Sequence, residues 1–115
     1  MQRQLLNGKI HGATVTEARV DYQGSITIDS NLLKATDMVE GEKVLIANLN
    51  NGARLESYIM VGEAGSGVIC LNGGAAKHGQ PGDKVIIMSF AVLEPAEVKG
   101  HKPKVVHVDA KNRIV

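Results

Sequence analysis

The chain has 115 residues, a length that suits one domain able to bury a core without disulfides or metal. Thirteen basic and twelve acidic residues leave a formal charge of +1. With no basic run and no set of stacking aromatics, that balance argues against a nucleic-acid partner. The apolar runs are far shorter than a membrane span, and the polar opening MQRQLLNGKI is unlike a signal peptide. A single cysteine, Cys70, fits a reducing, cytoplasmic setting with neither a disulfide nor a metal knot.

Tyr22, Tyr58 and Phe90 are the only aromatics besides histidine. An aromatic cage is therefore excluded, a small polar ligand is favoured, and the two phenolic hydroxyls stand out.

In chain order, Lys9 and His11 fall on a first strand, where a lysine ordinarily protects an edge and His11 reads as structural. Next comes Asp21-Tyr22-Gln23-Gly24-Ser25-Ile26-Thr27-Ile28-Asp29. A serine hydroxyl directly after a glycine can attack the preceding peptide bond, and glycine tolerates the backbone geometry that attack needs. Taken alone, a Gly-Ser pair is an ordinary turn. Asp29-Ser30 can cap a short helix over Asn31 to Ala35.

Short β-branched runs predict strands at Val44–Ala47, Leu55–Val61, Val68–Leu71, Val85–Leu93 and Val105–Val108. Asn50-Asn51-Gly52 predicts a hairpin between the first two. Gly74 to His78, stopped by Gly79, predicts a second short helix, and Pro95 to Val98 a last helical turn. Asn72-Gly73 before that second helix suits anion binding at a helix N-terminus, or a plain turn. His78, His101 and His107 lack a zinc-ligand spacing, so no metal site is expected. The basic segment Lys99 to Lys104 reads as a solvated loop.

Gly41-Glu42-Lys43-Val44-Leu45-Ile46 recurs 41 residues later as Gly82-Asp83-Lys84-Val85-Ile86-Ile87. Each copy follows a helical segment and opens a strand. The echo predicts two related halves about a pseudo-two-fold axis in a small closed barrel of about six strands. A barrel that small is filled by its own side chains. Any chemistry then belongs at a rim or between subunits, which predicts an oligomer.

Lys9 with His11, Tyr22-x-Gly24-Ser25 with Ile28-Asp29, Asn51-Gly52-x-Arg54, Tyr58, Asn72-Gly73-x-Ala75-Ala76 and Gly82-Asp83 together resemble the aspartate 1-decarboxylases. These are pyruvoyl-dependent enzymes that make β-alanine for pantothenate synthesis. The resemblance runs from Met1 to about Leu93. It implies a six-stranded double-psi β-barrel with short helices, residues 1–115 forming one domain, assembled as a homotetramer. It also implies self-cleavage into a β chain of residues 1–24 and an α chain of residues 25–115. Whether cleavage needs a helper protein is not legible.

Residue by residue, the resemblance implies that Ser25 attacks the Gly24 carbonyl and becomes the pyruvoyl cofactor, which takes up the electrons released from L-aspartate. Ser57 would donate to the oxyanion formed during cleavage and Asn72 would orient the scissile loop. Tyr58 would protonate the product carbanion, since a phenol stays protonated at neutral pH. Arg54 would hold a substrate carboxylate through its planar fork, Lys9 would add a second positive charge, and Ser57, Gly73, Gly74 and Ala75 would contact substrate. Tyr22 stacks near the substrate or braces the cleavage loop. Two positions depart from the family pattern: Ser57 stands where threonine is usual, and Gly74 where alanine is common.

Two other readings compete. One is a non-enzymatic small barrel acting as a binding or docking module; the other is the same chemistry on another small amino acid. Ser25 after glycine, Arg54, and Tyr58 beside a hydroxyl separate the enzyme from the module.

Overall fold

The computed structural model describes residues 1–115. The chain is mainly β. Its strands are β1 (Arg3–Thr14), β2 (Glu17–Arg19), β3 (Ser25–Asp29), β4 (Lys43–Asn48), β5 (Arg54–Gly62), β6 (Ile69–Asn72), β7 (Lys84–Leu93) and β8 (Lys104–His107). Two short helices, α1 (Ser30–Thr36) and α2 (Pro95–Val98), and a 3₁₀ segment (Gly73–His78) interrupt them. No helix is long and apolar enough to cross a membrane.

The strands form one eight-stranded sheet in the order β2-β6-β3-β5-β4-β7-β1-β8, so the expectation of six strands is corrected to eight. The two extra strands have identifiable origins. β2 continues β1 past Val15 and Thr16, and β8 is the tail laid parallel along β1, with Lys9 opposite Val105 and His11 opposite His107.

The β1–β2 junction draws the far sides of the sheet together. Val15 N–H donates to the Asp83 carbonyl (2.9 Å) and Thr16 N–H to the Ile69 carbonyl (2.8 Å). The Thr16 hydroxyl both donates to the Ile69 carbonyl (3.0 Å) and accepts from its N–H (2.9 Å).

The repeat is visible in the hydrogen bonding. β4 and β7 pair antiparallel with Ile46 opposite Ile87, its own equivalent in the repeat. Gly41 N–H donates to the Ile59 carbonyl (2.8 Å) and Ile59 N–H returns to Glu42 (3.0 Å). In the second copy Gly82 N–H donates to the Val15 carbonyl (2.8 Å) and Val15 N–H returns to Asp83 (2.9 Å). Gly41 (φ 83°) and Gly82 (φ 96°) both take the left-handed turn that starts their strands.

Alternation supplies the core. Ile10, Ile26, Ile28, Ile46, Ile59 and Ile87 project inward and are fully buried, each contributing on the order of 1.5–3 kcal/mol by leaving water. Asp29 caps α1, accepting from Asn31 N–H (2.8 Å), and also accepts from Gly65 N–H (3.0 Å) and Gly67 N–H (2.8 Å). The segment expected as a second helix is a 3₁₀ segment, because it is short and glycine-rich and its N-cap residue, Asn72, makes no capping bond.

The tail is tied down. Asn112 accepts from Thr14 N–H (2.7 Å) and donates to the carbonyls of Thr14 (2.8 Å) and Gly67 (2.7 Å).

Asp29→Ala deprives three backbone N–H donors of their buried carboxylate acceptor, and about 3 kcal/mol of stability is expected to go with it. Urea unfolding measures the loss. Asp29→Asn, which keeps an acceptor oxygen, is expected to lose less.

Candidate active site

Ser25 opens β3, which lies between β6, antiparallel, and β5, parallel. Ser25 pairs with Asn72 and Thr27 with Cys70. Since Ile26, Ile28, Ile69 and Leu71 fill the core, these four polar residues share the opposite face of the ribbon. On the other side Ile26 lies beside Ile59 in parallel register, which sets Ser25 next to Tyr58.

Ser25 is fully buried. Its hydroxyl accepts from Asn72 Nδ2 (3.0 Å) and has two acceptors in reach, the Gln23 carbonyl (3.1 Å) and Met60 Sδ (3.2 Å). The second Asn72 amide proton goes to Thr27 Oγ1 (3.0 Å), and Asn72 Oδ1 accepts from Cys70 Sγ (3.2 Å). Burial foremost, reinforced by the Glu17 carboxylate and opposed by Arg19, pushes the Cys70 thiol up from its ordinary value.

Gly73 grips the segment before Ser25. It has φ 62°, and a Cβ there would come within 2.6 Å of Gly24 Cα and 2.9 Å of the Tyr22 carbonyl oxygen. Gly24 itself has open space where a Cβ would stand.

An open groove of about 400 Å³ lies over Ser25, lined by Gly24, Ser25, Leu55, Glu56, Ser57, Tyr58, Gly74, Ala75 and His78. The structure thus gathers Gly24, Ser25, Ser57, Tyr58, Gly74 and Ala75 around one cavity, with Asn72 and Gly73 behind the wall. Tyr58 is 43% exposed. Tyr22 stands outside the groove under the Arg19 guanidinium, 5.1 Å from its ring centre.

Lys9 and Arg54 are not among the lining residues. Arg54 is exposed at the start of β5, on the face of Tyr58 but two pleats away, roughly 13 Å along the strand. Lys9 is on β1, three strands from β5. Sequence reasoning missed Glu56 and His78 as lining residues, and Thr27, Met60 and Cys70 as neighbours of Ser25 and Asn72. Strand alternation around Ser25 signals Thr27, but the others depend on which strands pair. Glu56 also forms an exposed ion pair with Lys43 (3.0 Å), and the Asn48 and Asn51 side chains hold the His78 carbonyl at 3.1 and 3.0 Å.

The aspartate decarboxylase family matches residues 1–115. The chain belongs to the aspartate decarboxylase family. An aspartate 1-decarboxylase of Listeria monocytogenes serotype 4a (strain HCC23) is 61% identical over 114 residues, 99% of this chain and 90% of the relative. One of Myxococcus xanthus (strain DK1622) is 57% identical over 115 residues, 100% of this chain and 88% of the relative. One of Ruminiclostridium cellulolyticum is 57% identical over 114 residues, covering 99% and 89%. The match takes in the tail, so the limit near Leu93 drawn from motifs was too short. Motifs thin out there, whereas the tail is held by Asn112 and by strand pairing, neither of which has a motif.

Gly73→Ala is expected to destabilise the protein by about 2 kcal/mol or more, because its Cβ meets backbone at positive φ. Gly74→Ala, whose Cβ meets nothing within 4 Å, is expected to stay within about 0.5 kcal/mol of wild type. Thermal unfolding of the pair checks both.

Proposed function

We propose that this chain is a self-processing decarboxylase that removes the C1 carboxylate of L-aspartate, giving β-alanine and carbon dioxide for pantothenate biosynthesis. The observation that carries the reading is Ser25: a buried serine after glycine, its oxygen held by Asn72, beneath a groove shared with Tyr58. A docking module needs none of these. The eight-stranded sheet is read as a double-psi β-barrel, in which β2 continues β1 and β8 is an addition at its edge. We take residues 1–115 as a single domain, working in the cytoplasm.

The chain's own residues carry the maturation. Ser25 Oγ bonds to the Gly24 carbonyl carbon, the Gly24–Ser25 C–N bond breaks, and the hydroxyl proton ends on the Ser25 nitrogen, leaving an ester. A proton then leaves Ser25 Cα, the Cβ–Oγ bond breaks, and Oγ departs as part of the Gly24 carboxylate. Water adds to the resulting dehydroalanine and ammonia leaves. Negative charge first gathers on the Gly24 oxygen, toward which Ser57 would donate, and later on Oγ, where Asn72 Nδ2 already points. One preorganised donor is worth roughly 2.7–4 kcal/mol in a transition state. Gly73 against Gly24 limits the conformations of the scissile segment and favours the attack by proximity.

The residues fit a pyruvoyl group at position 25. Ser25 has no exposure in the unbroken chain, so a reacting carbonyl there becomes accessible only once residues up to Gly24 are cut free and can move aside. The group supplies an electrophilic carbonyl that binds the substrate amine and draws off the electrons of the departing carboxylate. Tyr58, exposed beside Ser25, gives the proton that replaces carbon dioxide. Gly74 and Ala75 leave the opposite wall free of bulk, and Ser57 contacts substrate.

The groove of one chain contains no lysine or arginine. A homotetramer with sites between subunits supplies what is missing. Arg54 reaches along its own strand to one carboxylate, and Lys9 of a neighbouring copy adds charge. Tyr22, outside the groove, acts at the same edge.

Intact-mass measurement tests the reading. Wild type is expected to separate into residues 1–24 and a pyruvoyl-started residues 25–115, and Ser25→Ala to stay whole and inactive. Cleavage of Ser25→Ala after Gly24 would refute the mechanism. Tyr58→Phe is expected to cleave normally while β-alanine formation falls at least about 100-fold.

A further inference from the structure

We propose that Cys70 and Thr27 are positioning residues for maturation: together they lock the Asn72 side-chain amide with its NH2 toward Ser25 Oγ. The inference deepens the self-cleavage reading and rests on it.

A carboxamide is nearly symmetric in shape, so its two orientations are separated only by the hydrogen bonds available to them. Three groups surround the Asn72 amide: Ser25 Oγ at 3.0 Å, Thr27 Oγ1 at 3.0 Å and Cys70 Sγ at 3.2 Å. The two hydroxyls can accept or donate. The thiol decides, because sulfur accepts poorly and its other acceptor in reach, the Leu71 carbonyl, lies at 4.0 Å against 3.2 Å for Asn72 Oδ1, so the S–H is satisfied best by the amide oxygen. With Oδ1 committed to Cys70, both amide protons turn to the hydroxyls. The Ser25 proton is then left to the Gln23 carbonyl or to Met60 Sδ.

Strand register makes the lock rigid. Ser25 opposes Asn72 and Thr27 opposes Cys70 in the antiparallel β3–β6 pair, so the four side chains form two adjacent cross-strand pairs on one face. Cys70 is 4% exposed and Asn72 1% exposed, which removes water as an alternative partner for either. Burial also keeps the thiol protonated, and therefore a donor, at neutral pH.

The consequence falls on one step. When the ester breaks, Oγ leaves with negative charge as part of the Gly24 carboxylate. An N–H donor there stabilises that departure, whereas a flipped amide would present a carbonyl oxygen and oppose it. Loss of the lock should therefore let the ester accumulate. Hydroxylamine reveals it, since it cleaves the ester into a Gly24 hydroxamate and a chain that begins with Ser25.

The experiment follows freshly refolded full-length protein by intact mass, with and without hydroxylamine, in wild type, Cys70→Ala, Cys70→Ser, Thr27→Val and Thr27→Ser. Cys70→Ala and Thr27→Val are expected to form the pyruvoyl chain about tenfold more slowly, the cost of one hydrogen bond, with a larger hydroxylamine-sensitive fraction. Thr27→Ser, which keeps a hydroxyl at the same place, is expected to mature near the wild-type rate, and Cys70→Ser, whose hydroxyl accepts as readily as it donates, at a rate between those of wild type and Cys70→Ala. Conversion of both Cys70→Ala and Thr27→Val at the wild-type rate overturns the lock while leaving self-cleavage intact. A lower melting temperature with slower cleavage but no ester build-up also overturns it, because that pattern marks a structural role only. An active wild type whose chain is never broken overturns self-cleavage itself, and the lock with it.

Discussion

The antiparallel pairing of β3 with β6 is the constraint on which the site depends. It puts Ser25 opposite Asn72 and, one pleat on, Thr27 opposite Cys70. The parallel neighbour β5 fixes Tyr58 beside Ser25 from the other side. A shift of one residue in either pairing would exchange the polar and core faces of the ribbon. Such a slip would drive Ile26 and Ile28 outward, and each is fully buried. The register is thus held by the isoleucine core, and Ser25 inherits its position from that core.

The same core accounts for the internal symmetry. Ile46 faces Ile87 across β4 and β7, and matched glycine turns launch the two strands. Each half contributes something different to the site. The first supplies β3 and β5, with Ser25 and Tyr58, while β6, carrying Asn72, leads into the second repeat. The tail closes the end remote from the groove, where Asn112 and Gly67 sit near the Asp29 cap.

The groove is open, mixed in polarity and lined by no lysine or arginine. An open groove that lacks the countercharge for a dicarboxylate is what a subunit boundary would complete, in keeping with a small barrel too full of side chains to hold substrate inside. The burial of Ser25 fits the same scheme, since a chain break at Gly24 would both create the reactive group and clear the way to it.

Much of this was legible in the sequence. Gly24-Ser25, the Asp29 cap, the Asn-Gly hairpin, the glycine-led repeat and five of the strands are local signals, set by backbone conformation and side-chain alternation within a few residues. The family motifs extend that reach to Tyr58, Asn72 and Gly73. The number of strands in the sheet was not legible, because β2 is three residues long and because β8, although it reads as a strand, gains its place beside β1 only by pairing with residues distant in sequence. The environment of Ser25 was not legible either. Cys70 and Met60 look like core residues in their own strands, and only the pairing of strands distant in sequence brings their sulfur atoms to Asn72 and Ser25. Sequence alone determined where the chain would turn and which family it resembles. Tertiary structure decided which donor faces which oxygen, because hydrogen bonds between strands depend on a register that the shared core selects.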